Sequence, residues 1–73
     1  MSNRLVEYQL ERLKSKNPEI RLKSIAELRL LADPLALEAL EQVYRTDPEA
    51  DVRKAAQEAG YEIFVKNKPK KTE

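Results

Sequence analysis

Apolar residues recur every three or four positions along most of the chain, the spacing that places them on one face of an α-helix. The pattern predicts four helices, over about residues 4–16, 18–31, 34–45 and 48–65. Asn or Asp precedes each of them, and in the last three cases Pro follows directly, which is typical of a helix start. For the first helix, Ser2 or Asn3 can serve as the cap. We therefore expect an all-α chain of about four antiparallel helices.

The fourth helix combines a stripe of small residues with the only glycine of the chain. Val52, Ala55, Ala56 and Ala59 share one face, and their small side chains let a second helix approach closely. Gly60 follows, and glycine weakens a helix interior by roughly 1 kcal/mol relative to alanine. Two interpretations stay open: another helix packs closely at Gly60, or the helix frays there.

An internal repeat of about thirty residues relates the first helix to the third. A shift of thirty aligns Leu5 with Leu35, Leu10 with Leu40, Glu11 with Glu41 and Leu13 with Val43. Asn17-Pro18-Glu19 then aligns with Asp47-Pro48-Glu49 and, after two inserted residues, Ile20-Arg21 with Val52-Arg53. A period near thirty with helical units indicates an α-solenoid, in which neighbouring units bury each other's apolar faces.

These residues resemble the HEAT repeat family, in particular its short bacterial and archaeal form of PBS-lyase type. The segments that carry the resemblance are Asp47-Pro48, Val52-Arg53 and Ala55-Ala56, and more loosely Asn17-Pro18, Ile20-Arg21 and Leu28. It spans about residues 5–60 and implies a short α-α superhelix. It also implies that Arg21 and Arg53 are structural, bonded to an acidic residue or to turn carbonyls. Ser24 and Gly60 depart from the pattern, which has alanine and leucine there.

The phase of the repeat leaves the last helix without its usual neighbour. If the two helices of the family's repeat are A and B, this chain reads B, A, B, A. Tyr61, Phe64 and Val65 lie outside the apolar stripe of the last helix. Either they fold back on the first three helices and close a four-helix bundle, or they form an uncovered edge that docks on a second copy or a partner.

Charge is distributed unevenly along the chain. Residues 1–31 carry a net charge of +3, residues 32–62 carry −5 and residues 63–73 carry +3. The total of +1 argues against a general nucleic-acid-binding surface. The segments of opposite net charge leave open a head-to-tail or antiparallel self-association that is favoured by electrostatics. The basic segment 66–73 has no apolar periodicity. We expect a helical repeat domain over residues 1–65, followed by a disordered basic tail over 66–73.

Composition argues against catalysis and against a bound cofactor. The chain has no histidine and no cysteine, so the commonest catalytic base, the commonest thiol nucleophile and thiolate metal sites are absent. It also lacks a glycine-rich phosphate loop and an acidic cluster with metal-loop spacing. No apolar run exceeds three residues, so we expect no membrane insertion, and the N-terminus lacks the apolar core of a signal peptide. The expected location is the cytoplasm.

The function predicted is protein–protein binding by a small scaffold or accessory subunit, through two surfaces. The first, the B-helix face, comprises Glu7, Glu11, Lys14, Glu38, Glu41, Gln42 and Arg45. The second, the last-helix edge, comprises Tyr61, Phe64 and Val65. Two alternatives stay open. One is a nucleic-acid accessory protein that uses Arg4, Arg12, Lys14 and the lysine tail, and the other is a purely structural subunit held in a larger assembly through both ends.

Overall fold

A computed structural model describes residues 3–68 of the chain. Within this range the helices are α1 (Arg4–Arg12), α2 (Pro18–Leu31), α3 (Leu37–Thr46) and α4 (Ala50–Lys66). A 3₁₀ turn over Pro34–Ala36 leads into α3, and no strand occurs among the described residues. The predicted all-α fold class is confirmed.

The caps foreseen from Asn and Asp are present at the starts of α1, of α2 and of the 3₁₀ turn that leads into α3. The Asn3 side chain accepts hydrogen bonds from the backbone N–H groups of Leu5 and Val6. Asn17 Oδ1 accepts from Glu19 N at 2.9 Å, and Asp33 Oδ1 accepts from Leu35 N at 2.9 Å. These bonds satisfy backbone donors that have no partner inside the helix. Ser2, the alternative cap, lies outside the described residues.

The first helix is shorter than predicted, ending at Arg12 rather than near residue 16. After it the backbone tightens, because the N–H groups of Lys14 and Ser15 bond to carbonyls only three residues earlier. The Ser15 side chain then accepts from Asn17 N at 3.1 Å, and Ser15 O accepts from Arg21 Nη1 at 2.8 Å. These contacts hold the segment as a turn, so Lys14 is not a helical residue.

The third and fourth helices also begin differently from the prediction. The first turn of the third segment is 3₁₀, closed by a hydrogen bond from Ala36 N to Asp33 O. The last helix begins at Ala50 rather than Pro48, because Asp47 Oδ1 accepts from Glu49 N at 2.9 Å and Glu49 keeps an extended backbone. The two residues inserted in the second repeat therefore lengthen this turn.

The last helix continues one residue past the predicted domain boundary, through Lys66. Asn67 follows, and its side-chain Nδ2 donates to Ala32 O at 2.9 Å and to Ile63 O at 2.8 Å. These bonds tie the end of α4 to the end of α2. Residues 69–73 of the basic tail lie outside the described residues, so the disorder of the tail stays a prediction.

The helices pack as two pairs, α1 with α2 and α3 with α4, which meet through α2 and α4. The result is a flat body of about 46 × 27 × 16 Å. Its core consists of Val6, Leu13, Ile25, Leu28, Ala36, Leu40, Val52, Ala56, Ala59 and Ile63. Ser24 is fully buried, and its hydroxyl donates to the carbonyl of Gln9 in α1, which accounts for a polar residue at this position.

Candidate interaction surfaces

A buried ion pair joins the two helix pairs at their turns. Arg21 donates from Nε to Asp47 Oδ2 at 2.6 Å and from Nη2 to Asp47 Oδ1 at 3.0 Å, a bidentate geometry. Arg53 Nη1 donates to the carbonyl of Asp47 at 2.7 Å. Both arginines therefore have the structural role that the resemblance implied. We call Arg21, Asp47 and Arg53 the inter-repeat clamp.

The clamp keeps Asp47 ionised. Burial is the largest single influence and opposes ionisation, but several groups outweigh it together. The hydrogen bonds from Arg21 and from Glu49 N, with the positive charges of Arg21 and Arg53, hold the pKa of Asp47 below its usual value of 3.8. Because the charges of Arg21 and Asp47 are paired with each other, we assign the clamp a structural role, which is to hold the two turns together.

All seven residues of the predicted B-helix face are exposed. Glu7 and Glu11 lie on α1, Lys14 in the turn after it, and Glu38, Glu41, Gln42 and Arg45 on α3. Lys14 pairs with Glu11 at 3.6 Å and Arg45 with Glu41 at 2.8 Å. Exposed pairs of this kind contribute little to stability. The structure brings only Lys14 and Gln42 together at one groove, of about 390 Å³, which Leu10 and Val43 also line.

The last-helix edge is uncovered in the described structure. Tyr61, Phe64 and Val65 expose 71, 55 and 43% of their surface. The closed four-helix bundle is therefore wrong, since it requires these side chains to be buried against the first three helices. Phe64 and Val65 lie on opposite sides of Tyr61 and line two different grooves.

The first of these grooves, which we call the aromatic groove, lies between α3 and α4 and has a volume of about 340 Å³. It is lined by Leu37, Leu40, Glu41 and Tyr44 of α3 and by Ala56, Gln57, Gly60, Tyr61 and Phe64 of α4. Tyr44 is 43% exposed. Sequence reasoning included Glu41, Tyr61 and Phe64 among the candidates but missed Tyr44, although a signal was available. Positions 37, 40, 41 and 44 follow the i, i+3, i+4, i+7 spacing of one helix face, as do 57, 60, 61 and 64.

The second groove is larger, about 750 Å³, and three of its four charged lining residues, Arg29, Glu62 and Lys66, are paired with one another. Glu62 pairs with Arg29 of α2 and with Lys66, the latter at 3.2 Å. The hydrogen bonds from Arg29 and Lys66 lower the pKa of Glu62. Val65 lies at this groove and Tyr61 lines both. The aromatic groove is thus the one of the two that brings exposed aromatic side chains together.

Comparison with known proteins supports the repeat architecture. The family profile for HEAT repeats matches residues 2–59. The chain belongs to the HEAT repeat family. Searches among curated proteins and among solved structures found no match. HEAT repeats form helical modules that often mediate protein interactions, and no helix within residues 3–68 is long and apolar enough to cross a membrane.

Equivalent positions of the HEAT repeat differ between α2 and the last helix, α4. In the sequence repeat, Gln57 and Gly60 are the equivalents of Ile25 and Leu28. Ile25 and Leu28 are buried in the core, whereas Gln57 is exposed and Gly60 is only partly covered. The aromatic groove therefore occupies the face of α4 that corresponds to a packed face of α2.

Proposed function

We propose that this HEAT repeat protein is a protein–protein interaction module whose aromatic groove receives its partner. The observation that carries the proposal is the exposure of Tyr44, Tyr61 and Phe64 around one concave face. Scattered exposed apolar residues are normal on any protein, but a contiguous patch with a concavity is typical of a binding surface.

The composition of the groove suits a binding surface. Aromatic residues are enriched at protein interfaces because each provides a large contact area while losing few rotamers. Glu41 and its partner Arg45 lie beside the aromatic residues and give the groove a charged border. A polar rim around an apolar centre is the usual anatomy of an interface.

The B-helix face contributes to this function at its α3 end. Glu41 belongs both to that face and to the aromatic groove, so a partner seated in the groove extends over α3 towards Gln42 and Arg45. The α1 residues Glu7 and Glu11 do not line the groove. We assign them the role of solvated surface. The proposed function involves no reaction and no cofactor.

Affinity purification from the native cells tests the proposal. Tagged wild type, Phe64→Glu and Leu30→Glu are compared, since Leu30 is an apolar residue on α2 with 77% exposure and does not line the groove. We expect a partner protein to co-purify with wild type and Leu30→Glu but to be lost with Phe64→Glu. Equal recovery with all three variants contradicts the proposal. Recovery of nucleic acid instead, released steeply by salt, favours the nucleic-acid alternative.

A further inference from the structure

We propose that the occupant of the aromatic groove is the aromatic groove of a second copy of this chain, in a two-fold symmetric dimer. This inference rests on the proposed function, since it names the partner of the same face. In such a dimer one surface must supply both the projections and the cavity. The aromatic groove supplies both, because Tyr61 and Phe64 project beside a cavity in which Gly60 has no side chain.

The cavity at Gly60 can accept a side chain from outside. A Cβ atom built on Gly60 would meet only Leu40 Cβ within 4 Å, at 3.9 Å, so the described chain does not fill the space above the glycine. The repeat places a leucine, Leu28, at the equivalent position. The missing side chain leaves room for an aromatic ring of the second copy.

The other end of the molecule argues against a head-to-tail arrangement. Ala55 and Ala59 lie on the small-residue face of α4, and their equivalents on α2 are Lys23 and Glu27. Lys23 and Glu27 are exposed. If α2 of one copy packed on another copy as α4 packs on α2, these two charged side chains would be buried at the contact, which is unfavourable. The array can therefore be extended at the aromatic groove but not at its opposite end.

Charge permits the groove to meet itself. Its lining contains one charged residue, Glu41, whose carboxylate is paired with Arg45 at 2.8 Å. The surrounding half of the chain is strongly acidic, with a net charge of −5 over residues 32–62. Two copies that met through other parts of this half would bring unpaired carboxylates together, whereas the groove brings mainly uncharged side chains together.

The exposed aromatic area is that of a weak, transient dimer. A buried aromatic side chain covers about 150–250 Å², and Tyr44, Tyr61 and Phe64 expose between 43 and 71% of theirs. Three such residues offer on the order of 300 Å² in each copy. The two copies together therefore bury about 600 Å², which is half of the roughly 1,200 Å² at which specific interfaces begin. This total is below the size of a stable interface and is typical of a weak, transient one, so we expect a dimer that dissociates on dilution.

Analytical ultracentrifugation of the full chain over a wide concentration range is the test. We expect the average mass of wild type to rise with concentration and to level off at twice the monomer mass. Phe64→Glu and, independently, the more exposed Tyr61→Glu should weaken the dimer at least about tenfold, while Leu30→Glu should not. Circular dichroism of each variant at low concentration establishes that it is folded, and Tyr61→Glu serves if Phe64→Glu does not fold.

Several outcomes contradict the inference. Wild type that stays monomeric at the highest concentration overturns it, as does growth beyond the dimer, which indicates a head-to-tail chain. Equal loss of association in Leu30→Glu places the contact elsewhere. If wild type is monomeric while capture of a cellular partner still depends on Phe64, the second-copy inference fails and the proposed interaction function stands.

Discussion

Gly60 lies at a position where the backbone favours alanine, and Ala32 lies at a position where the backbone favours glycine. Gly60, the only glycine of the chain, lies within the continuous helix α4, where alanine is preferred. Ala32 caps the end of α2 with a left-handed backbone, at φ 52° and ψ 34°, where glycine is preferred. Neither fraying nor close packing by a described helix explains Gly60. Its small size leaves the aromatic groove open, which gives the residue a role at the surface.

Gly60→Ala should therefore stabilise the folded monomer by about 1 kcal/mol, because it raises helix propensity and the added Cβ finds ordinary contact distances. Urea unfolding at low protein concentration measures the change without a contribution from association. Ala26→Gly, at an exposed position inside α2, is the matched control and should destabilise by a similar amount. A loss of stability in Gly60→Ala would mean that the glycine is needed by the fold.

At the scale of elements, the turns hold the two helix pairs in register. The clamp links the turn before α2 to the turn before α4, because Arg21 bonds both to Ser15 O and to the Asp47 carboxylate. Arg53 adds a bond to the carbonyl of the same aspartate. A buried ion pair of this kind is a weak source of net stability, but removing one partner leaves the other charged and buried. The clamp therefore specifies how one repeat sits on the next.

Asp47→Asn should destabilise the fold by about 3 kcal/mol, since it leaves the Arg21 guanidinium buried without its counter-charge. The pKa of Asp47 is lower in the folded than in the unfolded chain, so its contribution is complete above pH 3.8 and is lost as pH falls through the lower, folded pKa. Urea unfolding at pH values above and below 3.8 should show that the free energy of unfolding of wild type falls with acid, and that this fall is smaller in Asp47→Asn.

The exposed Glu41–Arg45 pair supplies the control for the clamp. Glu41→Gln makes the same chemical change at a carboxylate paired at 2.8 Å but open to water. It should alter stability by less than about 0.5 kcal/mol. If the two variants are equally stable, or if Asp47→Asn keeps the full acid dependence of wild type, the buried pair does not have the role assigned to it.

At the scale of the whole molecule, the described residues form an open stack with one buried core, and the last helix leaves an apolar face uncovered. The core residues come from α1, α2, the 3₁₀ turn, α3, α4 and the turn after α1. The aromatic residues of the last helix stay outside this core. A chain of 73 residues has little apolar surface to bury. Leaving such a face uncovered therefore gives up a considerable part of the free energy that burial could contribute to folding.

Truncating a core residue and an edge residue should thus have different effects. Leu28→Ala should destabilise the monomer by about 2–5 kcal/mol, because Leu28 is fully buried and its loss creates a cavity. Phe64→Ala should cost less than about 1 kcal/mol at low concentration, because more than half of Phe64 is already exposed. Thermal melting compares the two. If Phe64→Ala loses more stability than Leu28→Ala, Phe64 is buried in the monomer and the interpretation as a closed bundle is correct.

Periodicity and capping were sufficient to predict the helices and their order, because both depend on local backbone physics. Asn3, Asn17 and Asp33 cap where their side chains predict. Two of the errors fall at Lys14 and Pro48, beside turns that the clamp organises, and a third at Pro34, where the first turn is 3₁₀. Arg21 and Asp47 are 26 residues apart, so no local pattern shows that their pairing holds the two turns out of the helices.

The sequence by itself determined that the chain is an all-α HEAT repeat, because the repeat, the caps and the apolar spacing are encoded in near neighbours. It also singled out Tyr61, Phe64 and Val65 as residues outside the apolar stripe of the last helix, but left open whether they are covered. Only the tertiary structure decided between a closed bundle and an open edge, and only it joined Tyr44 to Tyr61 and Phe64 in one groove. The physical reason is that burial depends on how two helix pairs are placed in space. That placement is set by the packing of α2 on α4 and by the clamp, which act between residues far apart in the chain.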